Sequence, residues 1–239
     1  MKVPFTGCAT AIVTPMRDGG VDFDALARLI EYQIDNGVSA IVPCGTTGEA
    51  PTLGGEEKKR VIAFTIRRTD GRIPVIAGCG SPSTEYAAKY AADAEKEGAD
   101  GILVVTPYYN KATDTGVYLH YKTIAEQVHI PVIAYNVPAR TGLCISERAY
   151  ALLCTIPNLC GVKEASANVG YAERIAAAYG EKLGIYSGCD ELTAPIYAVG
   201  GCGVVSVLSN ILPAEMVRLC NLCENGRMQD AAKLQQKLY

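Results

Sequence analysis

The chain has 239 residues, 49% of them apolar and 20% charged, with a formal net charge of -3. At roughly 100–200 residues per domain this allows one large domain or two small ones, and it excludes a strongly basic footprint for nucleic acid or anionic membrane. No run nears the ~18 consecutive apolar residues of a membrane span, and the opening Met1-Lys2-Val3-Pro4-Phe5-Thr6-Gly7 lacks the apolar core of a signal peptide, so a soluble, cytoplasmic protein is expected.

In chain order, short apolar runs alternate with amphipathic stretches. The runs fall at 9–14, 40–44, 74–78, 101–106, 131–135, 159–163, 184–187 and 203–208. They are apolar throughout, as strands buried on both faces must be. The stretches between them, at 24–36, 56–69, 84–97, 116–128, 146–154, 171–179, 191–199 and 214–224, have helical spacing. Gly37 and Gly98 follow two of them, where a helix needs a residue that takes positive φ without strain. Eight such units predict a (β/α)₈ barrel, a fold of about 250 residues. An open doubly wound sheet is the alternative, but the first strand leads into Thr14-Pro15-Met16-Arg17 with no glycine-rich phosphate fingerprint. No linker separates the units, so residues 1–226 are expected to form one barrel and 227–239 to begin a further helix.

Ten cysteines invite a disulfide or zinc reading. Most, including Cys44, Cys79, Cys160 and Cys189, sit in apolar runs, where a reduced thiol packs as a small hydrophobe. Cys220 and Cys223 make a C-x-x-C pair, but His120 and His129 do not complete a four-ligand set. Reduced core thiols and no metal are expected.

A barrel builds its active site from the loops that follow the strands. After the second strand comes Gly45-Thr46-Thr47-Gly48-Glu49, a tight turn offering backbone N–H groups and two hydroxyls to a small carboxylate. Read alone, it is equally a turn with a helix cap. After the fourth comes Thr106-Pro107-Tyr108-Tyr109-Asn110, whose tyrosines also suit packing or an interface. After the fifth comes Tyr135-Asn136-Val137-Pro138-Ala139-Arg140-Thr141-Gly142. Its tyrosine can relay protons, and its arginine can fork onto a carboxylate. The sixth ends Gly161-Val162-Lys163-Glu164-Ala165-Ser166. A lysine there either snorkels to solvent or is buried, loses part of its charge and attacks ketones as a free amine. Tyrosine, threonines, arginine and lysine converging from separate strands favour the second reading: a cofactor-free lysine enzyme acting on small carboxylated ketones.

With these four motifs in order, the sequence resembles the dihydrodipicolinate synthase family, pyruvate-dependent class I aldolases related to N-acetylneuraminate lyase, from Gly7 to about Glu224. The resemblance implies a (β/α)₈ barrel that condenses pyruvate with L-aspartate 4-semialdehyde to 4-hydroxy-tetrahydrodipicolinate in lysine and diaminopimelate biosynthesis. Carried over, Lys163 is the Schiff-base nucleophile and Tyr135 the proton shuttle. Thr47 links Tyr135 to Tyr109, which reaches in from a neighbouring subunit of a dimer or tetramer. Thr46 and Thr47 hold the pyruvate carboxylate, Arg140 binds the semialdehyde carboxylate, and groups near Gly188 and Val205 line the pyruvate pocket. No cofactor is implied. The family continues into a C-terminal helical extension, of which 227–239 would be the start.

Arg140 and the Gly-Thr-Thr-Gly loop favour the synthase over sialic-acid lyases and sugar-acid aldolases. A non-catalytic or inactive truncated barrel is the reading from another class. A phosphate-binding isomerase fits poorly, because Gly200-Gly201-Cys202-Gly203 precedes the eighth strand instead of following it. Lys58, Pro82 and Tyr86 stand where lysine-inhibited relatives carry histidine, asparagine and glutamate, so weak or absent feedback by lysine is expected.

Overall fold

The computed structural model describes residues 2–239. Eight parallel strands run β1 (Gly7–Ala11), β2 (Ala40–Val42), β3 (Ile76–Gly78), β4 (Gly101–Val105), β5 (Val132–Asn136), β6 (Leu159–Glu164), β7 (Gly184–Ser187) and β8 (Gly203–Ser206). Each pairs with its sequence neighbours, and β8 pairs with β1. The β2–β3 seam is thinner, a single bridge between Ile41 and Val75. Ile41 N donates to Pro74 O at 3.0 Å there, and Gly78 N to Pro43 O at 2.9 Å. A Cβ on Gly78 would lie 2.1 Å from the Cys44 carbonyl oxygen, so the seam can close only over a glycine. The expected (β/α)₈ barrel is therefore the fold observed.

Between the strands lie α1 (Phe23–Asp35), α2 (Gly55–Thr69), α3 (Thr84–Glu97), α4 (Asp114–Ala125), α5 (Glu147–Leu153), α6 (Val169–Tyr179), α7 (Thr193–Ala198) and α8 (Pro213–Glu224). Their starts are chemically marked. Asp22, Ser83, Thr113, Ser146 and Asn168 each accept a hydrogen bond from a backbone N–H in the first turn of the helix that follows. Such a cap stabilises a helix by about 1 kcal/mol. A ninth helix, α9 (Met228–Leu238), packs on α7 and α8, burying Ala231 and Leu234 with Met216 and Leu219.

Several boundaries differ from the expected ones. The first strand begins at Gly7, and the chain after it forms a hairpin, Met16–Arg17 with Gly20–Val21, around Asp18 and Gly19, both at positive φ. The Asp-Gly pair signals such a turn. Leu208, expected at the end of the last strand, starts a 3₁₀ turn instead. All ten cysteines are free. Six are buried, including Cys220 and Cys223, but Cys189 is half-exposed, because its apolar run ends in the β7–α7 loop and not in the strand.

Side chains pointing into the barrel, among them Ala9, Val42, Ile76, Leu103, Ile133 and Tyr186, fill its interior. A larger cluster lies between the sheet and the helices. His120 of α4 is in this outer layer, 3% exposed, with Nδ1 2.9 Å from Thr84 Oγ1 and Nε2 without a partner among the described residues. Burial pushes its pKa down from 6.5 to about 4. Between those two values the unfolded chain takes up a proton that the folded chain refuses. His120 therefore costs stability progressively as pH falls from 6.5 to 4, up to about 3 kcal/mol. Urea titrations at pH 7 and pH 4.5 should show that drop, and His120→Gln should flatten it; an unchanged slope in the variant would refute the assignment.

Candidate active site

The strand register brings the key pair together. Tyr135 of β5 and Lys163 of β6 are direct Cα partners, so both side chains leave the sheet on its inner face. Lys163 Nζ lies 4.5 Å from the centroid of the Tyr135 ring. The lysine is only 4% exposed, so it does not snorkel to solvent. Burial holds its pKa down at about 8, with the Asp190 carboxylate the strongest opposing influence. Burial also pushes Tyr135 above its ordinary value, against the pull of Thr46 and the Arg140 guanidinium.

The next residue pair, Asn136 and Glu164, points the other way and acts as a strut. Asn136 Nδ2 donates to Glu164 Oε2 at 2.8 Å and Asn136 Oδ1 accepts from Ile145 N at 3.0 Å. Ser166 N donates to Glu164 Oε1 at 2.7 Å, and Gly188 N to the Glu164 carbonyl at 2.7 Å. The motifs alone do not single out this pair. Its signal in the sequence is a carboxylate and an amide each directly following an inward-facing residue in a buried strand.

A cavity of about 250 Å³ opens beside Tyr135, lined also by Thr46, Tyr108, Arg140, Gly45 and Lys58. Arg140 sits exposed on a single helical turn, Pro138–Thr141. Lys163, Gly188 and Val205 do not line this cavity. Val205 is buried in the barrel interior with Tyr135 and Ala165. Gly188 lies against the lysine: a Cβ there would be 3.0 Å from Lys163 Cε and 2.6 Å from Ala165 Cβ. Gly188→Ala should therefore displace the lysine and slow its reaction with a ketone, by roughly a hundredfold for a displacement near 1 Å. Timed borohydride trapping on a variant of native circular dichroism checks this, and a wild-type rate would refute it.

The two threonines and the two tyrosines of the expected hydroxyl chain are placed differently on this chain. Thr47 is the expected link; Thr46 lines the cavity beside Tyr135 and holds the tyrosine's pKa down against burial. Adjacent residues in a tight turn point in different directions, and only the folded loop shows which one faces the barrel. Tyr109, expected to reach into a neighbouring subunit, is 90% exposed and held at φ 77 on this chain, while its neighbour Tyr108 lines the cavity. A bulky residue in the left-handed region is uncommon and marks a site whose surroundings impose it.

The chain matches the sequence profile of the Dihydrodipicolinate synthetase family over residues 4–239. It is 45% identical over 231 residues to a 4-hydroxy-tetrahydrodipicolinate synthase of Clostridium novyi, covering 97% of this chain and 78% of the relative. The fold superposes on the dihydrodipicolinate synthase of Aquifex aeolicus with a TM-score of 0.96 and 43% identity, covering 98% of this chain and 80% of that one. The chloride-inhibited dihydrodipicolinate synthase of Acinetobacter baumannii complexed with pyruvate matches at TM-score 0.95 and 44% identity, over 97% and 80% of the two chains. With its inward-facing lysine and tyrosine, its barrel and its similarity along nearly the whole length, this chain belongs to the dihydrodipicolinate synthetase family.

Proposed function

We propose that the protein condenses pyruvate with L-aspartate 4-semialdehyde to 4-hydroxy-tetrahydrodipicolinate through an imine on Lys163. The observation that carries this is a buried lysine of lowered pKa, register-paired with a tyrosine inside the barrel. The relatives bear the synthase name, which favours this reaction over sugar-acid cleavage.

The neutral Lys163 amine adds to the pyruvate ketone, and loss of water leaves a protonated imine. That imine draws electrons, so a methyl proton departs and an enamine forms. The enamine carbon attacks the aldehyde of the second substrate. The amine of that substrate then displaces Lys163 and closes the ring. Tyr135 carries protons to and from these intermediates, with Thr46 orienting its hydroxyl. Arg140, exposed at the cavity, forks onto the carboxylate of the semialdehyde. Thr46 and the adjoining Thr47 turn supply donors for the pyruvate carboxylate, and Gly188 and Val205 shape the interior around the lysine. Tyr109, outward-facing on this chain, completes the site of a neighbouring subunit in a dimer or tetramer. Among the described residues no helix is long and apolar enough to cross a membrane. The cytoplasm is the proposed place of work, as the family resemblance implies.

Borohydride trapping with pyruvate, followed by peptide mass mapping, tests the reading. A reduced pyruvyl adduct on Lys163 is expected; its absence from folded protein would overturn the proposal. Assays with aspartate semialdehyde and with N-acetylmannosamine then identify the acceptor.

Regulation by lysine is expected to be weak. Lys58 is half-buried with Nζ 4.8 Å from the Tyr90 ring centroid, and Tyr86 stacks on Tyr90 at 6.4 Å. The Lys58 ammonium already occupies the face of Tyr90 and repels a second cation, and Pro82 and Tyr86 offer no carboxylate to bind one. Activity should hold with L-lysine at millimolar concentration, and inhibition below that range would refute the expectation.

A further inference from the structure

Asp190 lies in the β7–α7 loop, two residues beyond the glycine that rests against Lys163. Its Oδ2 accepts two backbone hydrogen bonds, from Val207 N and Leu208 N, both at 2.9 Å. Its Oδ1 is buried and has no hydrogen-bond partner among the described residues. A buried carboxylate oxygen left bare is costly unless a positive charge nearby compensates it. The loop around it is fixed from elsewhere in the fold. Gln235 of α9 donates from Nε2 to the Asp190 carbonyl at 3.1 Å and accepts from Ala194 N at 3.2 Å. Thr193 Oγ1 donates to the same carbonyl at 2.8 Å. Asp190 is thus held in place by the loop after β8, by α7 and by α9, and not by a cation of its own.

The groups facing Lys163 come from both sides. From β5 and the turn after it come the Tyr135 ring and the Arg140 guanidinium. From β7 and its loop come Tyr186, the Cα partner of Lys163, then Cys189 and Asp190. Asp190 alone among these is a carboxylate. Tyr186 is committed elsewhere, donating to the Phe5 carbonyl at 2.7 Å.

We propose that Asp190 is the counter-charge of Lys163, a positioning residue whose fixed carboxylate stabilises the positive charge on that nitrogen before and after the imine forms. No proton passes to it; it acts through its field. Burial alone would drive the lysine further toward its neutral form, and Asp190 opposes that drive. The inference rests on the reading that Lys163 forms the imine, and the test separates the two.

Asp190→Asn keeps an oxygen for the Val207 and Leu208 amides and removes the charge. The rate of pyruvate adduct formation on Lys163 would be followed against pH by borohydride quench and intact-protein mass, a readout independent of the acceptor. For the unsubstituted protein the rate should rise to a plateau with a midpoint near 8. In the variant the midpoint should fall by roughly one unit. An unmoved or raised midpoint would overturn the proposal, because a merely structural role lowers the rate without shifting its pH dependence. Should Asp190→Asn not fold, Asp190→Ser removes the same charge with a smaller acceptor and carries the same expectation. If the unsubstituted protein forms no adduct, the reading of Lys163 falls and this inference with it; if it does and the midpoint stays, only this inference falls.

Discussion

Replacing Lys163 with alanine is expected to abolish the pyruvate adduct and to lower condensation by at least about a thousandfold, because among the described residues no other lysine is buried, and Lys163 is the register partner of Tyr135. The size of the effect follows from burial. A lysine of ordinary pKa is almost wholly charged at pH 7. With its pKa lowered to about 8, Lys163 presents about 300 times more free amine at that pH. Imine formation should accordingly rise from pH 6 through a midpoint near pH 8 and level off above about pH 9, as the ammonium loses its proton. Steady-state rates and adduct mass across that range would check both parts. An adduct retained by Lys163→Ala, or a flat pH profile in the unsubstituted protein, would refute the assignment.

Tyr135→Phe is expected to be the next most damaging change, lowering turnover by roughly 10²–10⁴-fold, the usual loss when a general acid–base group is removed. The ring should still pack against Lys163, so folding and pyruvate affinity should change little. The loss should therefore fall on kcat more than on KM. Burial raises the pKa of the phenol, and Thr46 and the Arg140 guanidinium oppose that rise. Thr46→Val, which removes the hydroxyl beside it, should give a smaller loss in the same sense, whereas Thr47→Val should be milder still. Equal losses in the two threonine variants would count against the placement of Thr46.

Much of this site is legible in the order of the residues. A lysine closing an apolar strand, a tyrosine closing the strand before it and an arginine five residues on are unusual enough to single out, and the fold makes lysine and tyrosine direct partners. Thr46 and Thr47 are less distinguishable. They share a residue type and a turn, and the choice between them depends on backbone torsions that composition does not encode. Tyr108 and Tyr109 pose the same difficulty, and the left-handed backbone at Tyr109 turns its ring outward. Glu164 and Asp190 escape notice in the sequence for another reason. Each is one acidic residue in a chain with 25, and only burial and the identity of its partners mark it out.

The sequence by itself determined the alternation of eight strands and helices, because burial on both faces demands unbroken apolar runs and helix faces demand a 3.6-residue period. It also determined which reactive residue types stand at the strand ends. The tertiary structure decided the rest: how the seam closes over Gly78, which neighbours share a register, and which side chains lose their water. That division is physical. Periodicity is a local property of the chain, whereas a pKa, a hydrogen-bond partner and a counter-charge depend on residues far apart in sequence that only closure of the barrel brings together.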